Sequence, residues 1–406
     1  MNYALKTFLA LLLPAILLAC GSDQQSADTV QPRLQEMVTS KYAAYKAANN
    51  LPENAGTLVY MKSAAGTWLA TAGLPAGVNE NFHYRVASVT KTFTAAAIML
   101  LDQQGKLRID DVVTANIPGR NIPYLPVSPP YAIPFKNQIT IREMLSHRAG
   151  VFDITNDEVP SSSNAVYAGK YYISYIYNDL NEADHQFTFD ELAGVVALNQ
   201  LSYWAPNGGY HYSNTGYMML AVIIERITGK SYDRFITENF TVPIGLGATS
   251  IPWSANDRTI PAPYLHGYSN TGTGYNETTE DNMSANVAEG NIIGTPADMA
   301  RWIKTLLSGN GPLTKEQITR MTTPPAGSTE KYALGIQSYT DIGMGHTGAH
   351  QGFMNLVAYN PQDDLTLVVV LPFVDFGKVS EQGTFLFDIA KEARKLAGYS
   401  DTWPKP

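Results

Sequence analysis

Strand-like segments lie near both ends of this 406-residue chain, and a long stretch with a helical pattern separates them. Residues 56–73 have the pattern of two short strands, and apolar or alternating segments return between residues 332 and 373. The intervening residues 106–285 show helices within long loops rich in Tyr and Pro. Strands distant in sequence can share one sheet when the intervening segment folds beside it. We therefore predict an α/β fold, an antiparallel sheet flanked by helices with an inserted all-helical domain.

The predicted sheet domain is discontinuous. It comprises residues 33–105 and 286–406, and residues 106–285 form the inserted helical domain. Within the insert, residues 215–228 are apolar almost all round and are followed by Gly229, which predicts a buried helix. The chain is thus expected to return to the sheet only after the insert is complete.

The first residues have the form of an export signal. Lys6 precedes an apolar stretch shorter than the roughly 20 residues that span a bilayer, so residues 1–19 are predicted to be a signal peptide. Residues 17–20, LLAC, resemble the lipobox of bacterial lipoproteins, which implies a lipid on Cys20 and a tether over residues 20–32. The alternative is an ordinary signal peptide with an incidental Cys.

Cys20 is the only cysteine of the chain, so no intramolecular disulfide can form and packing must stabilise the exported domain. Ser22, and not Asp, stands at the second position after it. The lipobox resemblance then implies an anchor in the outer membrane, with the domain on the periplasmic side of the bacterial envelope. The predicted partners are this membrane and a small substrate.

The charge balance argues against a nucleic-acid partner. The formal net charge is −8, and no basic run reverses it locally. The 45% of hydrophobic residues, with 32 Gly and 24 Pro, indicate a globular, loop-rich protein, and only 16% of residues are charged, below the usual quarter or so. A small molecule is therefore the expected substrate.

Ser88 and Lys91 are the first candidate catalytic residues. The spacing S-x-x-K at the start of a predicted helix places a hydroxyl and an amine one turn apart on the same face. A partly desolvated lysine can remove the proton of a serine and make it a nucleophile. Ser328 and Lys331 have the same spacing, but they lie in a Pro/Gly loop that gives them no common orientation.

Two further motifs follow. The pentapeptide YSNTG occurs at residues 212–216, directly before the buried helix, and at residues 268–272, in what reads as a mobile loop. The first copy is the candidate because a packed element can hold Tyr212 and Asn214 rigidly. A packing tyrosine is the alternative for Tyr212.

The third motif is His346-Thr347-Gly348, on a predicted strand, where Gly lets a substrate backbone approach and strand N–H groups can bind an oxyanion. A metal pair of His346 and His350 is the rival interpretation. Their Cα atoms would lie about 13 Å apart on an extended strand, so they are not expected to share an ion. We predict neither a metal nor an organic cofactor.

S-x-x-K, Y-x-N and H-T-G in this order, split by a helical block, resemble the serine β-lactamase and D-alanyl-D-alanine carboxypeptidase superfamily. Narrower matches such as LSHRAGV and HTGAHQGF resemble the branch of class C β-lactamases, DD-peptidases, D-aminopeptidases and related esterases. The resemblance implies that Ser88 forms an acyl-enzyme and that Lys91 is its base. It implies that Tyr212 transfers protons.

The resemblance also assigns binding roles. Asn214 would hold the acyl-side amide of the substrate, and His346, Thr347 and Gly348 would line the far side of the cleft. The backbone N–H groups of Ser88 and Ala349 would form the oxyanion hole. His147 matches a family hallmark and is expected to be structural.

Departures from the family pattern bear on the substrate. Many relatives have Lys at the position of His346, and free imidazole titrates near pH 6.5, so the charge there is conditional. Some DD-peptidases have a hydroxyl residue where this chain has Ala349. We predict a D-alanyl-D-alanine carboxypeptidase or D-amino-acid peptidase. The alternatives are an esterase of small acyl esters and a slow-turnover penicillin-binding or sensor protein.

Overall fold

A computed structural model describes residues 27–399 and 402–404. Its strands are β1 Thr57–Ser63, β2 Gly66–Ala72, β3 Tyr84–Arg85, β4 Tyr268–Asn270, β5 Tyr275–Glu277, β6 Ile293–Gly294, β7 Gln337–Tyr339, β8 Gly343–His350, β9 Phe353–Asn360, β10 Leu365–Leu371 and β11 Phe373–Asp375. Its α-helices are α1 Ala27–Asn49, α2 Thr90–Gln103, α3 Ile141–Leu145, α4 Tyr172–Ser174, α5 Phe189–Leu198, α6 Asn214–Thr228, α7 Tyr232–Ile236, α8 Val242–Ile244, α9 Pro296–Ser308, α10 Lys315–Thr322 and α11 Val379–Leu396.

The main sheet joins strands from both ends of the chain. Six strands lie in the order β2-β1-β10-β9-β8-β7, and every neighbouring pair is antiparallel. Successive residues of β1 point to opposite faces. Leu58 belongs to the core that includes residues of α2 and α9, whereas Val59 belongs to the core that includes residues of α1 and α11. The predicted fold class, an antiparallel sheet flanked by helices, is confirmed.

Helices of the central block begin and end at local capping signals. Thr140 accepts a hydrogen bond from Glu143 N, and the Glu143 carboxylate accepts one from Thr140 N, which completes a capping box. The buried helix α6 ends at Gly229, whose φ of 69° is left-handed and favours glycine. These local signals depend on residues only a few positions apart.

The predicted tether over residues 20–32 is wrong in its second half. Helix α1 begins at Ala27, so it includes Pro32, and Val30 is fully buried in the core. Gln31 and Gln35, one turn apart on α1, each donate to and accept from the backbone of edge strand β2, at Leu69 and Thr71 respectively. Gln31, one of the polar residues that suggested a flexible linker, therefore closes the open edge of the sheet together with Gln35.

The second copy of YSNTG is also not a mobile loop. Tyr268–Asn270 forms β4, which pairs with β5 and, in parallel, with β11. Gly267 packs so closely on Gly352 that a Cβ at Gly267 would lie 2.8 Å from Gly352 O. The expectation that residues 106–285 are all-helical is therefore wrong at their end, because β4 and β5 form a separate three-stranded sheet with β11.

The export features cannot be placed in this structure. Cys20 and the predicted signal peptide, residues 1–19, lie outside the described residues. Across the described part of the chain, each helix is too short or too polar to cross a bilayer.

Gln31→Ala or Gln35→Ala is expected to lower the free energy of unfolding by roughly 1–3 kcal/mol, because each change removes both partners of a backbone N–H and C=O on β2. Urea unfolding monitored by circular dichroism measures the change. Glu36→Ala, at an exposed position of the same helix, is the control and should stay within about 0.5 kcal/mol. Equal unfolding midpoints for all variants and the parent would contradict the edge-closing role.

Candidate active site

Ser88 lies in a tight turn between strand β3 and helix α2. Ala87–Val89 forms one turn of 3₁₀ helix that runs directly into α2 at Thr90. Ala87 has a φ of 49°, in the left-handed region that a non-glycine residue rarely occupies. This conformation costs on the order of 1–3 kcal/mol, which the surrounding packing must offset. The turn fixes the direction in which the Ser88 side chain leaves the backbone.

Lys91, one turn after Ser88, is completely buried. Its Nζ lies 3.1 Å from Ser88 Oγ, as the S-x-x-K spacing predicts. The same Nζ lies 4.8 Å from the ring centre of Tyr212. Burial lowers the pKa of Lys91, and the nearby Glu289 carboxylate opposes that shift.

Glu289 is a site residue that the sequence motifs do not include. Its Oε2 lies 3.1 Å from Lys91 Nζ, and its backbone oxygen accepts a second hydrogen bond from the same amine at 2.8 Å. Only 3% of Glu289 is exposed. The signal that could have found it is a single carboxylate inside the apolar run NVAEGNIIG, where an unpaired charge would be costly.

Tyr212 lies beside Lys91, and His147, in the segment after α3, fixes the backbone on both sides of it. The backbone oxygen of His147 accepts from His211 N, and its ring Nδ1 accepts from Ser213 N, so His147 fixes both neighbours of Tyr212. The rings of His147 and Tyr212 lie 4.2 Å apart between centres. This geometry agrees with the expected structural role of His147.

Burial raises the pKa of Tyr212 well above its usual value, and a hydrogen bond with the Ser88 side chain opposes that shift. The same burial lowers the pKa of Lys91. Burial therefore shifts both groups toward their uncharged forms, an amine that can take a proton and a phenol that can give one. They flank a single hydroxyl, that of Ser88.

Asn214 starts helix α6 and has one free polar atom. Its Nδ2 donates to Thr155 Oγ1 at 2.7 Å, and its backbone N–H donates to Asp153. Its Oδ1 is buried and has no hydrogen-bond partner within the described residues. The side chain is thus fixed in orientation, and its Oδ1 is available to accept a hydrogen bond from a substrate.

His346 differs from the conditional cation that its free pKa suggests. Its ring is buried, with Nε2 3.0 Å from Tyr332 OH and Nδ1 bonded to Thr347 O. Burial and the charge of Lys91 lower the pKa of His346 to about 3. His346 is consequently neutral at physiological pH, and its ring nitrogens are occupied inside the protein.

Close packing against the turn of Ser88 explains why residue 348 is a glycine, whereas the sequence suggested that the glycine makes room for a substrate. A Cβ at this position would lie 2.3 Å from Val86 O and 3.0 Å from Ala87 Cβ. Strand β8 therefore needs glycine so that it can pack against the turn that carries Ser88. The neighbouring Thr347 is half-buried and Ala349 is exposed.

The competing motif copies do not assemble a site. Ser328 Oγ bonds Arg148 and Glu330, whereas Lys331 Nζ donates to Thr340 Oγ1. In the part of the chain that the structure describes, no cluster of three or more His, Cys, Asp or Glu side chains is arranged for a metal ion. His350, the proposed rival ligand, lies 3.3 Å from Asn286 Oδ1.

His346→Asn should make the stability of the protein less dependent on pH. In the unfolded chain this histidine has a pKa near 6.5. In the folded chain its pKa is about 3. Between those values the unfolded state holds the extra proton, so stability rises with pH and is lost as pH falls. Removing the group should reduce the slope by about 1.4 kcal/mol per pH unit.

Urea unfolding at several pH values from 4 to 6 tests this. His147 shifts the slope in the same direction and stays in the variant. Asn81→Ala, at an exposed position, removes no titratable group, so it is the control and should leave the slope unchanged. A His346→Asn slope equal to that of the parent would show that His346 titrates normally.

Curated relatives match parts of this chain. Penicillin-binding protein 4* of Bacillus subtilis is 30% identical over 196 residues, which are 47% of this chain and 35% of the relative. Protein flp of Staphylococcus aureus is 26% identical over 303 residues, which are 71% of this chain and 52% of the relative. The chain thus spans about half or less of the length of these relatives.

Solved structures share the fold. A D-stereospecific amidohydrolase from Streptomyces sp. superposes with a TM-score of 0.69 at 23% identity, covering 86% of this chain and 97% of the other. The D-amino acid amidase of Ochrobactrum anthropi SV3 superposes with a TM-score of 0.66 at 20% identity, covering 89% and 99%. The sequence model of the beta-lactamase family matches residues 54–377, most of the chain. The protein therefore belongs to the beta-lactamase family of serine hydrolases.

Proposed function

We propose that this protein hydrolyses amides and peptides of D-amino acids through an acyl-enzyme on Ser88. The observation that carries the proposal is the 3.1 Å contact between Ser88 Oγ and the buried amine of Lys91. A lysine whose pKa is lowered by burial can act as a base at neutral pH. No metal or organic cofactor is part of this mechanism.

In the proposed acylation, Lys91 Nζ takes the proton of Ser88 and Oγ attacks the substrate carbonyl. The backbone N–H groups of Ser88 and Ala349 would stabilise the oxyanion. Tyr212 stays protonated because burial raises its pKa, so it can give its proton to the leaving nitrogen while Lys91 replaces that proton. Water then enters and the same groups act in reverse to release the acid.

Asn214 favours a substrate with an N–H group near the reacting carbonyl. Its buried Oδ1 lacks a partner among the described residues, and an unsatisfied buried acceptor gains from a donor that a substrate supplies. An amino-acid derivative has such a donor on its α-nitrogen. A simple acyl ester does not.

The cleft gives little support for a terminal carboxylate. His346 is neutral and Ala349 contributes no hydroxyl, so the two positions expected to hold a carboxylate cannot do so by charge or by hydroxyl. We therefore favour neutral leaving groups, as in amides, over the carboxypeptidase reaction. Esters of amino acids remain a second candidate, because they too have a neutral leaving group.

The names of the relatives support the proposed substrate class. Two structural neighbours are named a D-stereospecific amidohydrolase and a D-amino acid amidase, and one sequence relative is named a penicillin-binding protein. The D configuration is proposed here on these names.

We also propose that the protein is exported and held by a lipid on Cys20. LLAC at residues 17–20 supports this. Only residues 21–26 would then separate the anchor from helix α1. The domain would be held close to the membrane surface.

A fluorophosphonate, which phosphonylates activated serines, should add one group to the protein, and Ser88→Ala should abolish the addition. Ser328→Ala, in the unassembled copy of the motif, is the matched control and should react like the parent. Intact-mass spectrometry over time gives both results. An adduct of equal yield on Ser88→Ala would overturn the assignment of the nucleophile.

Substrate preference gives a second test. The p-nitroanilide of D-alanine should be hydrolysed with a kcat/KM roughly 10- to 100-fold above that for a D-alanyl-D-alanine dipeptide. The terminal carboxylate of the dipeptide would lose its hydration in the cleft, and no cation there would compensate for that loss. Absorbance of p-nitroaniline and chromatographic detection of D-alanine measure the two rates. Preference for the dipeptide, or for the L-alanine anilide, would refute the proposed class.

A further inference from the structure

Glu289 holds Lys91 through two oxygens of one residue. The backbone oxygen accepts from Lys91 Nζ at 2.8 Å, and Oε2 lies 3.1 Å from the same nitrogen. With Ser88 Oγ at 3.1 Å, the amine has three oxygen neighbours. An ammonium has three N–H donors, so these neighbours match its donors one for one.

The neutral amine is constrained by the same contacts. It has two N–H donors and one lone pair. If Glu289 accepts both donors, the lone pair faces the Ser88 hydroxyl. This is the orientation in which the amine can accept the Ser88 proton. A lysine without the carboxylate could instead turn an N–H toward Ser88 and lose its function as a base.

Glu289 itself is fixed by neighbouring side chains. Asn286 Nδ2 donates to Glu289 Oε1 at 2.6 Å. Asn286 Oδ1 then accepts from His350 Nε2 at 3.3 Å, and His350 Nδ1 lies 3.5 Å from Asp281 Oδ2. The carboxylate is therefore held by a chain of contacts that passes through His350, the last residue of strand β8 and the neighbour of Ala349 in the predicted oxyanion hole.

We propose that Glu289 is a positioning residue that directs the lone pair of Lys91 at Ser88 and stabilises the ammonium formed on proton transfer. The inference rests on the proposed function and adds a third member to its Ser88–Lys91 pair. In the step, the Ser88 O–H bond breaks, its proton joins the lone pair of Lys91, and Oγ bonds the substrate carbon. Glu289 gains no proton and remains a carboxylate.

The charge of Glu289 should also set the pH at which Lys91 becomes a base. Burial alone lowers the pKa of Lys91, and the carboxylate opposes it. Loss of the carboxylate charge should lower the pKa of Lys91 further, so the variant should keep a neutral amine at pH values where the parent amine is protonated. The other titratable groups around Lys91 stay in place in such a variant: Asp153, His147, His346, Tyr212 and Tyr217. Loss of the Glu289 charge also lowers the pKa of Asp153 and of Tyr212, since that charge raises both.

The test is the pH dependence of Ser88 phosphonylation by a fluorophosphonate, measured by intact mass on the full chain. Glu289→Gln, which keeps the shape and removes the charge, should react roughly 10- to 100-fold more slowly at the pH optimum. The acid limb of its profile should move down by on the order of one pH unit. Glu289→Asp, which restores the charge, should return the limb toward that of the parent.

Glu225→Gln is the matched control, since Glu225 is a partly buried carboxylate that bonds Tyr232 N instead of Lys91. It should leave rate and profile unchanged. Thermal unfolding of each variant separates misfolding from a local effect, and a folded Glu289→Gln with the parent's rate and profile would overturn the inference alone. A parent protein that never reacts, or a Ser88→Ala variant that still does, would overturn the proposed function with it.

Discussion

Lys91 lies in the protein interior with no exposed surface, and the geometry of the site follows from that position. Burying an ammonium costs free energy unless oxygen atoms accept its hydrogen bonds. An amine acts as a base only if the ammonium that it forms is not so stable that the lysine is always protonated. Both conditions are met here by Ser88 and Glu289, which lie 3 and 198 residues away in sequence. Helix α2 must therefore begin immediately at the nucleophile turn, and the segment before β6 must return beneath it.

The aromatic surroundings of Lys91 explain why a histidine suits the HTG strand. The rings of His147, Tyr212 and Tyr332 pack on one another and on His346, which excludes water from this side of the amine. A second cation in that enclosure would add its own desolvation cost and repel Lys91. A neutral imidazole avoids both, because Tyr332 and a backbone oxygen satisfy its two nitrogens. The position of His346, which the sequence suggests is a conditional cation, is thus polar but uncharged here.

The sequence predicts those features that depend on near neighbours. The Ser88–Lys91 contact follows from one helical turn, and the capping box at Thr140 follows from a spacing of three. The sequence does not predict contacts between residues that are far apart along the chain. Glu289 reads as one charge in an apolar run until the fold brings it to Lys91. The strand at Tyr268–Asn270 becomes visible only when Phe373–Asp375 lies beside it. The polar start of α1 looks like a linker because its partner, the backbone of an edge strand, has no sequence signal.

One environment gives Lys91 and Tyr212 opposite chemical tasks. Burial disfavours the charged form of each group, so it shifts Lys91 toward a free base and Tyr212 toward a protonated acid on either side of Ser88. The charge of Glu289 acts on both, since it raises the pKa of Tyr212 as well as that of Lys91. For Tyr212 the two effects add and keep the phenol protonated. For Lys91 the two effects oppose each other, so the amine is a stronger base than burial alone would leave. A carboxylate at this point in the fold therefore makes Lys91 a stronger base and keeps Tyr212 protonated, although it also makes the phenol a weaker acid.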